Sequence, residues 1–133
     1  MASWLAASWP REGPRRLWSR ELGDGFSAIL ADGERLYTML RRGNENAALH
    51  VPTGRVAWQD RRFPKATLLL AAGKVIVLDE DGRLALATLT PEGMTVHSEA
   101  QILTKLAWTV PTLVGSRLYV RDRATIAAYD VGP

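Results

Sequence analysis

The chain has 133 residues, of which 47% are hydrophobic and 23% charged, and it contains no cysteine. This length fits a single domain, and the apolar content is too high for a disordered chain. The lack of cysteine excludes disulfides, cysteine-ligated zinc or iron–sulfur clusters, and a thiol nucleophile. A formal net charge of only +3, without long runs of like charge, argues against nucleic acid as a partner.

Residues 1–15 are expected to form an N-terminal tail. The first ten residues are apolar but have no lysine or arginine ahead of the apolar part, so they lack the first region of a secretory signal. No stretch approaches the ~20 apolar residues that a membrane-spanning helix needs. We therefore expect no membrane partner, and the compartment stays undecided because a mature domain cut from an exported precursor would look the same.

Short β-rich runs separated by turns make up the rest of the chain. Asp32-Gly33 and Asp81-Gly82 are examples of these turns, in which glycine accepts the positive φ that tight hairpins require. Many short strands at even spacing are typical of an all-β barrel, sandwich or propeller. In chain order the predicted strands span residues 26–31, 35–40, 47–51, 55–58, 67–71, 74–78, 83–88, 94–98, 109–114, 117–120 and 125–129.

An internal repeat favours the propeller. Leu36, Val75 and Leu118 occupy equivalent positions in three stretches that each contain a glycine, a basic residue and an apolar strand. The spacings of 39 and 43 residues are those of a four-stranded propeller blade, whose period is ~40–45 residues.

We predict an all-β propeller domain with three four-stranded blades over residues 16–133. Blade one spans 26–60, blade two 66–103 and blade three 108–131. The fourth strand of blade three is assigned to residues 16–22, because this segment resembles the outer strand at 55–60 in placing a tryptophan after a basic residue. Such closure would cover two sheet edges that otherwise favour aggregation.

The stretch from Ala48 to Trp58 resembles the repeat signature of quinoprotein-like (PQQ-like) β-propellers, with Thr53-Gly54 as its turn. Residues 9–18 and 108–122 are similar to the opening and the last blade of a bacterial, often exported, branch of that family. The resemblance covers residues 9–131, although blade two has no tryptophan. It implies that Trp18 and Trp58 are structural and pack between blades, and that Thr53 and Gly54 form a structural turn.

The number of predicted blades points to an assembly. Family members usually have seven or eight blades, and closed propellers have ~4–8. Three blades alone would leave exposed apolar faces at both ends of the array. We therefore expect a closed six-bladed homodimer, in which residues 16–22 of one copy complete blade three of the other. A nine-bladed trimer and an unstable fragment are the alternatives.

Catalysis is not expected. The sequence has no Ser-His-Asp arrangement, phosphate loop or paired-carboxylate motif, and His50 and His97 lie on different blades without the convergent ligands of a metal site. Quinoprotein dehydrogenases hold a quinone and a calcium ion with residues from many blades. This chain has too few blades to supply such a set of residues, so the resemblance does not extend to cofactor binding. We predict no cofactor and no metal.

Charged loops after the second strand of each blade are the candidate binding site, because repeat geometry places them on one face. Salt bridges between neighbouring blades are the alternative interpretation. We predict a non-catalytic scaffold for protein or peptide interaction; the alternatives are a quinone-binding remnant of a dehydrogenase-like enzyme and an engineered or evolutionary propeller fragment without a native ligand. The candidate residues are Arg41, Arg42, Asp79, Asp81, Trp108, Arg121 and Arg123.

Overall fold

The computed structural model describes residues 11–21, 30–31, 33, 35–40, 45–104 and 106–133. Over these ranges the chain forms eleven strands in three antiparallel sheets. Over the same ranges there is no helix long and apolar enough to span a bilayer. The strands are β1 Leu30–Ala31, β2 Arg35–Leu40, β3 Glu45–His50, β4 Val56–Asp60, β5 Thr67–Ala71, β6 Lys74–Leu78, β7 Arg83–Thr90, β8 Gly93–Gln101, β9 Thr112–Val114, β10 Arg117–Arg121 and β11 Ile126–Asp130.

Each sheet is an antiparallel meander, in which every strand pairs with the next strand of the chain. Sheet one has the order β1-β2-β3-β4, sheet two β5-β6-β7-β8, and sheet three β9-β10-β11. The third and fourth strands of sheets one and two are joined through a register shift, at Ala48/Leu49 and Leu86/Ala87 respectively. Strands β2, β5 and β6 have the bounds that the sequence predicts, because the apolar runs are bounded in the sequence by turn residues such as glycine and aspartate.

Two apolar cores lie between neighbouring sheets. The first packs Val75, Val77 and Met94 of sheet two against Leu30 and Trp58 of sheet one. The second core packs the opposite face of sheet two on sheet three. Successive side chains of β6 point by turns into the first and the second core. Both faces of this strand are therefore buried, which explains why nearly all of its residues are apolar. The members of the second core include Ile76, Leu78, Leu84, Leu86, Leu113, Leu118, Val120 and Tyr129.

The far faces of the two terminal sheets differ. On sheet three, Val114 is 61% exposed and Ile126 is 77% exposed, so this face is open. On sheet one, the face away from sheet two includes Thr38, Ala47 and Leu49, and all three are buried. The sequence predicts exposed apolar faces at both ends, but among the described residues only sheet three has one.

Sheet three contains three strands in the described part of the chain, and the segment predicted to supply its fourth strand lies elsewhere. Residues 13–21 have no regular secondary structure. Trp18 donates its indole N–H to Val51 O at 2.7 Å, and Arg20 donates to Gly54 O at 3.3 Å, so the segment lies on the β3–β4 turn of sheet one. Within the described part of the chain, therefore, residues 16–21 do not pair with sheet three. Their indole and guanidinium N–H groups instead bond backbone carbonyls of the β3–β4 turn.

Candidate functional site

The loop face of the molecule is built on two equivalent aspartate-capped turns. Asp79 follows β6, is fully buried, and accepts hydrogen bonds from the backbone N–H groups of Asp81 at 3.1 Å and Arg83 at 2.9 Å. Its second carboxylate oxygen accepts from Arg83 Nε at 3.0 Å. The carboxylate of Asp79 therefore holds the β6–β7 turn and is not accessible to a ligand.

Asp122 has the same role after β10. Its Oδ1 accepts from the backbone N–H groups of Ala124 at 2.8 Å and Thr125 at 2.7 Å. Its Oδ2 accepts from the N–H of Thr104 at 3.4 Å, in the link that leads from sheet two to sheet three. Short side chains that bond backbone donors two or three residues on are a common way to fix a turn.

Between these turns lies a pocket of about 270 Å³ that is lined by Glu80, Asp81, Thr104, Leu106 and Arg123. It combines carboxylates, a guanidinium, a hydroxyl and one apolar side chain. The pocket is at the end of the sheets where second strands turn into third strands, so its residues come from two sheets and from the link between them.

Trp108 stands beside this pocket. Its indole is 41% exposed, and its N–H donates to Glu80 Oε2 at 3.1 Å. The same carboxylate oxygen forms an ion pair with Lys65 Nζ at 3.2 Å. Glu80 is therefore held by two partners, and its bond keeps the indole of Trp108 at the rim of the pocket. Asp81 is exposed, and its backbone N–H and C=O groups take part in hydrogen bonds.

The structure brings only part of the predicted binding residues together. Asp81, Trp108 and Arg123 meet around the pocket, whereas Arg121 is exposed on β10 and its Nε donates to Asp122 O at 3.4 Å. Arg41 and Arg42 lie outside the described residues. Thr104 and Leu106 were not predicted, because the link from which they come has no periodic pattern.

The predicted structural residues of sheet one form one arrangement around the β3–β4 turn. Gly54 has a φ of 70°, and a Cβ atom there would come within 2.6 Å of the indole of Trp18. The hydroxyl of Thr53 hydrogen-bonds His50 Nδ1 at 3.0 Å and accepts from the N–H of Arg55 at 3.3 Å. Trp18 thus bonds the carbonyl that follows β3 of sheet one much as Trp58 bonds the carbonyl at the end of β7 of sheet two.

Trp58 lies at the contact between sheets one and two. Its ring is 6.1 Å from that of Tyr37, and its N–H donates to Thr90 O at 2.9 Å. Near it, Arg62 bonds both oxygens of Asp60 and donates to Met94 O at 2.5 Å. Burial raises the pKa of Asp60, but the hydrogen bonds and charge of Arg62 outweigh it and hold that pKa below its usual value.

A second, larger cavity opens between sheets two and three. Its volume is about 620 Å³, and its walls are mainly apolar. Its lining includes Leu84 and Leu86 of β7, Ala100 of β8, Leu118 of β10 and Val131. The volume is within the range of typical ligand pockets, ~300–1,000 Å³.

Metal ligands do not cluster in the described ranges, where no group of three or more His, Cys, Asp or Glu residues is placed to hold an ion. The ring of His97 bonds the hydroxyl of Thr88 at 2.6 Å, and His50 belongs to the turn of sheet one. Both histidines therefore take part in local hydrogen bonds of their own sheets.

Comparison with solved structures decides the architecture. BamB from Moraxella catarrhalis, a PQQ-like propeller, superposes with a TM-score of 0.67 at 22% sequence identity, over 86% of this chain and 36% of that one. The three sheets have the fold of propeller blades. The resemblance predicted from the sequence is confirmed at the level of the fold.

A second propeller-like match is weaker. The glutaminyl cyclase from Myxococcus xanthus aligns with a TM-score of 0.50 at 16% identity, over 77% of this chain and 46% of that one. The aligned part thus covers less than half of either solved chain. No protein-family model matches the sequence, and no curated protein matches it significantly.

Proposed function

We propose that this chain is a non-catalytic β-propeller scaffold that binds a protein or peptide segment at its loop face. The observation that carries the proposal is the pocket between the two aspartate-capped turns, where the half-exposed indole of Trp108 stands beside Glu80, Asp81 and Arg123. Aromatic and arginine side chains are the residues that most often dominate the binding energy of protein interfaces.

The chemistry of the pocket fits a peptide that carries a basic and an acidic side chain. Asp81 is exposed and offers its carboxylate to a cation, and Arg123 offers an exposed guanidinium to a carboxylate. Leu106 and the indole of Trp108 supply the apolar contact. Because Glu80 is already bonded by Lys65 and Trp108, this part of the pocket needs little reordering when a ligand binds.

A peptide library displayed on phage, selected on the wild-type chain, tests this proposal. Selected peptides should lose about tenfold or more in affinity, ~1.4 kcal/mol, for Trp108→Ala and for Asp81→Lys. The matched control is Glu92→Lys, an exposed charge in the β7–β8 turn at the opposite end of the sheet, which should leave the affinity unchanged. Failure to enrich any peptide, or equal binding by all three variants, would contradict the proposal.

We further propose that two copies associate, with a closed six-bladed ring as the expected form. The support is the open face of sheet three, on which Val114, Tyr119 and Ile126 are exposed. In the ring this face would pack on the second copy. Light scattering over a dilution series should give about twice the monomer mass, and Ile126→Arg should shift that mass toward the monomer; a monomer at all concentrations would rule out the ring.

A further inference from the structure

The segment at residues 16–20 lies on sheet one much as the outer strand β4 lies on sheet two. Trp18 donates its indole N–H to Val51 O, the carbonyl that follows β3. Trp58 of β4 donates its indole N–H to Thr90 O, at the end of β7. The two tryptophans are 40 residues apart in the sequence, which is the period of a propeller blade, ~40–45 residues. The segment therefore occupies the place of an outer strand of a blade next to sheet one.

Two incomplete parts of a blade lie at opposite ends of the described chain. The segment at residues 16–20 has the place of an outer strand, but none of the described strands pairs with it. Sheet three is the reverse case, because its described part has three strands and lacks the outer one. Sheet two packs one face on sheet one and the other on sheet three. The two parts are therefore separated by sheet two and do not meet within one copy.

Sheet three repeats the pair of residues beside which Trp58 lies in sheet one. There, Tyr37 is opposite Ala48, which is opposite Trp58, and the rings of Tyr37 and Trp58 are 6.1 Å apart. In sheet three Tyr119 is opposite Ala128, and each tyrosine directly follows the leucine of the internal repeat. Tyr37 and Ala48 are buried, whereas Tyr119 and Ala128 are exposed. A tryptophan on a strand beside β11 would reproduce in sheet three the arrangement seen in sheet one.

The backbone of β11 can bond such a strand. The N–H of Val131 donates to Ser116 O at 2.8 Å, which continues the β10–β11 ladder. Bonding alternates along an antiparallel strand. The N–H and C=O groups of Ile126, Ala128 and Asp130 therefore point away from β10, where a fourth strand would lie.

We infer that residues 16–20 of one copy form the fourth strand of sheet three in a second copy, with Trp18 beside Ala128 and against the ring of Tyr119. The inference rests on the association of two copies proposed above and adds the segment that joins them. Trp18 would then link two blades of different copies, as Trp58 links two blades of one copy. Each copy would supply the strand that completes the sheet of the other.

The charges of the two segments agree with this pairing. The register of β3 and β4, carried over to β11 with its one-residue shift, places Ser19 opposite Ala127 and Arg15 opposite Asp130. The side chains of Arg15 and Asp130 are both exposed in a single copy. Opposite charges on facing positions of neighbouring strands stabilise a sheet. The exchanged strand would therefore bring a cation to the exposed carboxylate of β11.

Because the chain contains no cysteine, a pair of introduced cysteines tests this contact directly. Ser19 and Ala127 would form a non-hydrogen-bonded pair with Cα atoms ~4.5 Å apart, within the span of a disulfide. Chains with Ser19→Cys are mixed with chains with Ala127→Cys and oxidised, and the mixed disulfide should be the main product. The matched control is Val114→Cys, exposed on β9 at the other edge of sheet three, which should give about tenfold less mixed disulfide.

Light scattering of the same proteins separates failure of this inference from failure of the proposed association. A dimer that gives no more mixed disulfide than the Val114→Cys control would show that the copies associate through another surface, and would overturn the exchange alone. A monomer at all concentrations would overturn both. The loop-face pocket shares no residue with this contact, so the peptide selection tests it separately.

A competing occupant of the place beside β11 is the apolar stretch at residues 1–10 of the same chain. Ser8→Cys combined with Ala127→Cys in one chain tests it. We expect at most a trace of disulfide within single chains of this double variant. Efficient bridging within single chains would assign the place to residues 1–10 and would overturn the inference.

A backbone substitution in β11 provides a second measurement. Ala128→Pro removes an outward N–H without removing a β10–β11 bond, and Ala128→Ser is its matched control because it keeps the N–H and a small side chain. The proline should weaken association about tenfold or more, and the serine less than about twofold. Equal association of both variants would contradict strand exchange. The disulfide measurement does not depend on the folding of the proline variant.

Discussion

The indole of Trp58, on the outer strand of sheet one, donates its N–H to the carbonyl of Thr90 at the end of β7 in sheet two, at 2.9 Å. This bond joins two sheets that have no backbone ladder in common. Together with the packing of the same ring against the first core, it makes Trp58 a link between neighbouring blades.

Trp58→Phe should keep most of the packing and lose the bond to Thr90, at a cost of about 1 kcal/mol in the free energy of unfolding. Trp58→Ala should cost about 3 kcal/mol or more, because it also empties part of the core. Denaturant unfolding measures both. Trp108→Phe is the control, and its exposed ring should change stability by less than about 0.5 kcal/mol.

Gly54→Ala should destabilise the chain by more than Gly115→Ala. Both glycines have positive φ, 70° and 59°, so both substitutions strain the backbone. Only at Gly54 would the new methyl group meet the indole of Trp18, since nothing lies within 4 Å at Gly115. We expect about 1 kcal/mol for the control and about 2 kcal/mol for Gly54→Ala. Equal costs would mean that Trp18 does not hold its position in solution.

Removal of the buried carboxylate in Asp79→Ala should cost about 3 kcal/mol, since Arg83 and two backbone donors would lose their partner. Asp81→Ala, two residues on, removes an exposed carboxylate and should change stability by less than about 0.5 kcal/mol. Thermal unfolding of the two variants side by side checks this pair. A small effect of Asp79→Ala would contradict its role in the turn.

The ion pair of Asp60 and Arg62 should make stability depend on pH. The folded state lowers the pKa of Asp60, so the carboxylate contributes stability above its unfolded pKa of about 3.9. This contribution is lost as the pH falls below about 4 and through the folded pKa. Asp60→Asn should therefore differ most from wild type at neutral pH and approach it at low pH. Unfolding midpoints at several pH values test the sign.

Much of the fold could be predicted from the sequence, because the signals are local. The apolar runs and the glycine turns predict where the strands lie, and the repeat of Leu36, Val75 and Leu118 predicts three sheets. The segment around Trp18 was assigned to a strand on a pattern it shares with β4. In the structure its donors are taken up by the β3–β4 turn, a contact with a distant segment that no local pattern specifies.

The candidate site was less accessible to prediction. The sequence identifies a cluster of carboxylates after β6 but does not distinguish Asp79, which is buried in the turn, from Asp81, which is exposed. That difference depends on backbone geometry. Leu106 completes the pocket only because the link between sheets two and three crosses the loop face, which is a tertiary arrangement.

The two apolar cores also determine which parts of the chain can open independently. Sheet two contributes a face to each core, whereas sheets one and three each contribute to a single core. In such a linear array, a terminal unit can detach at the cost of one interface, while the central unit must break two. Partial opening should therefore begin at sheet one or sheet three, and limited proteolysis should cleave these sheets before it reaches sheet two.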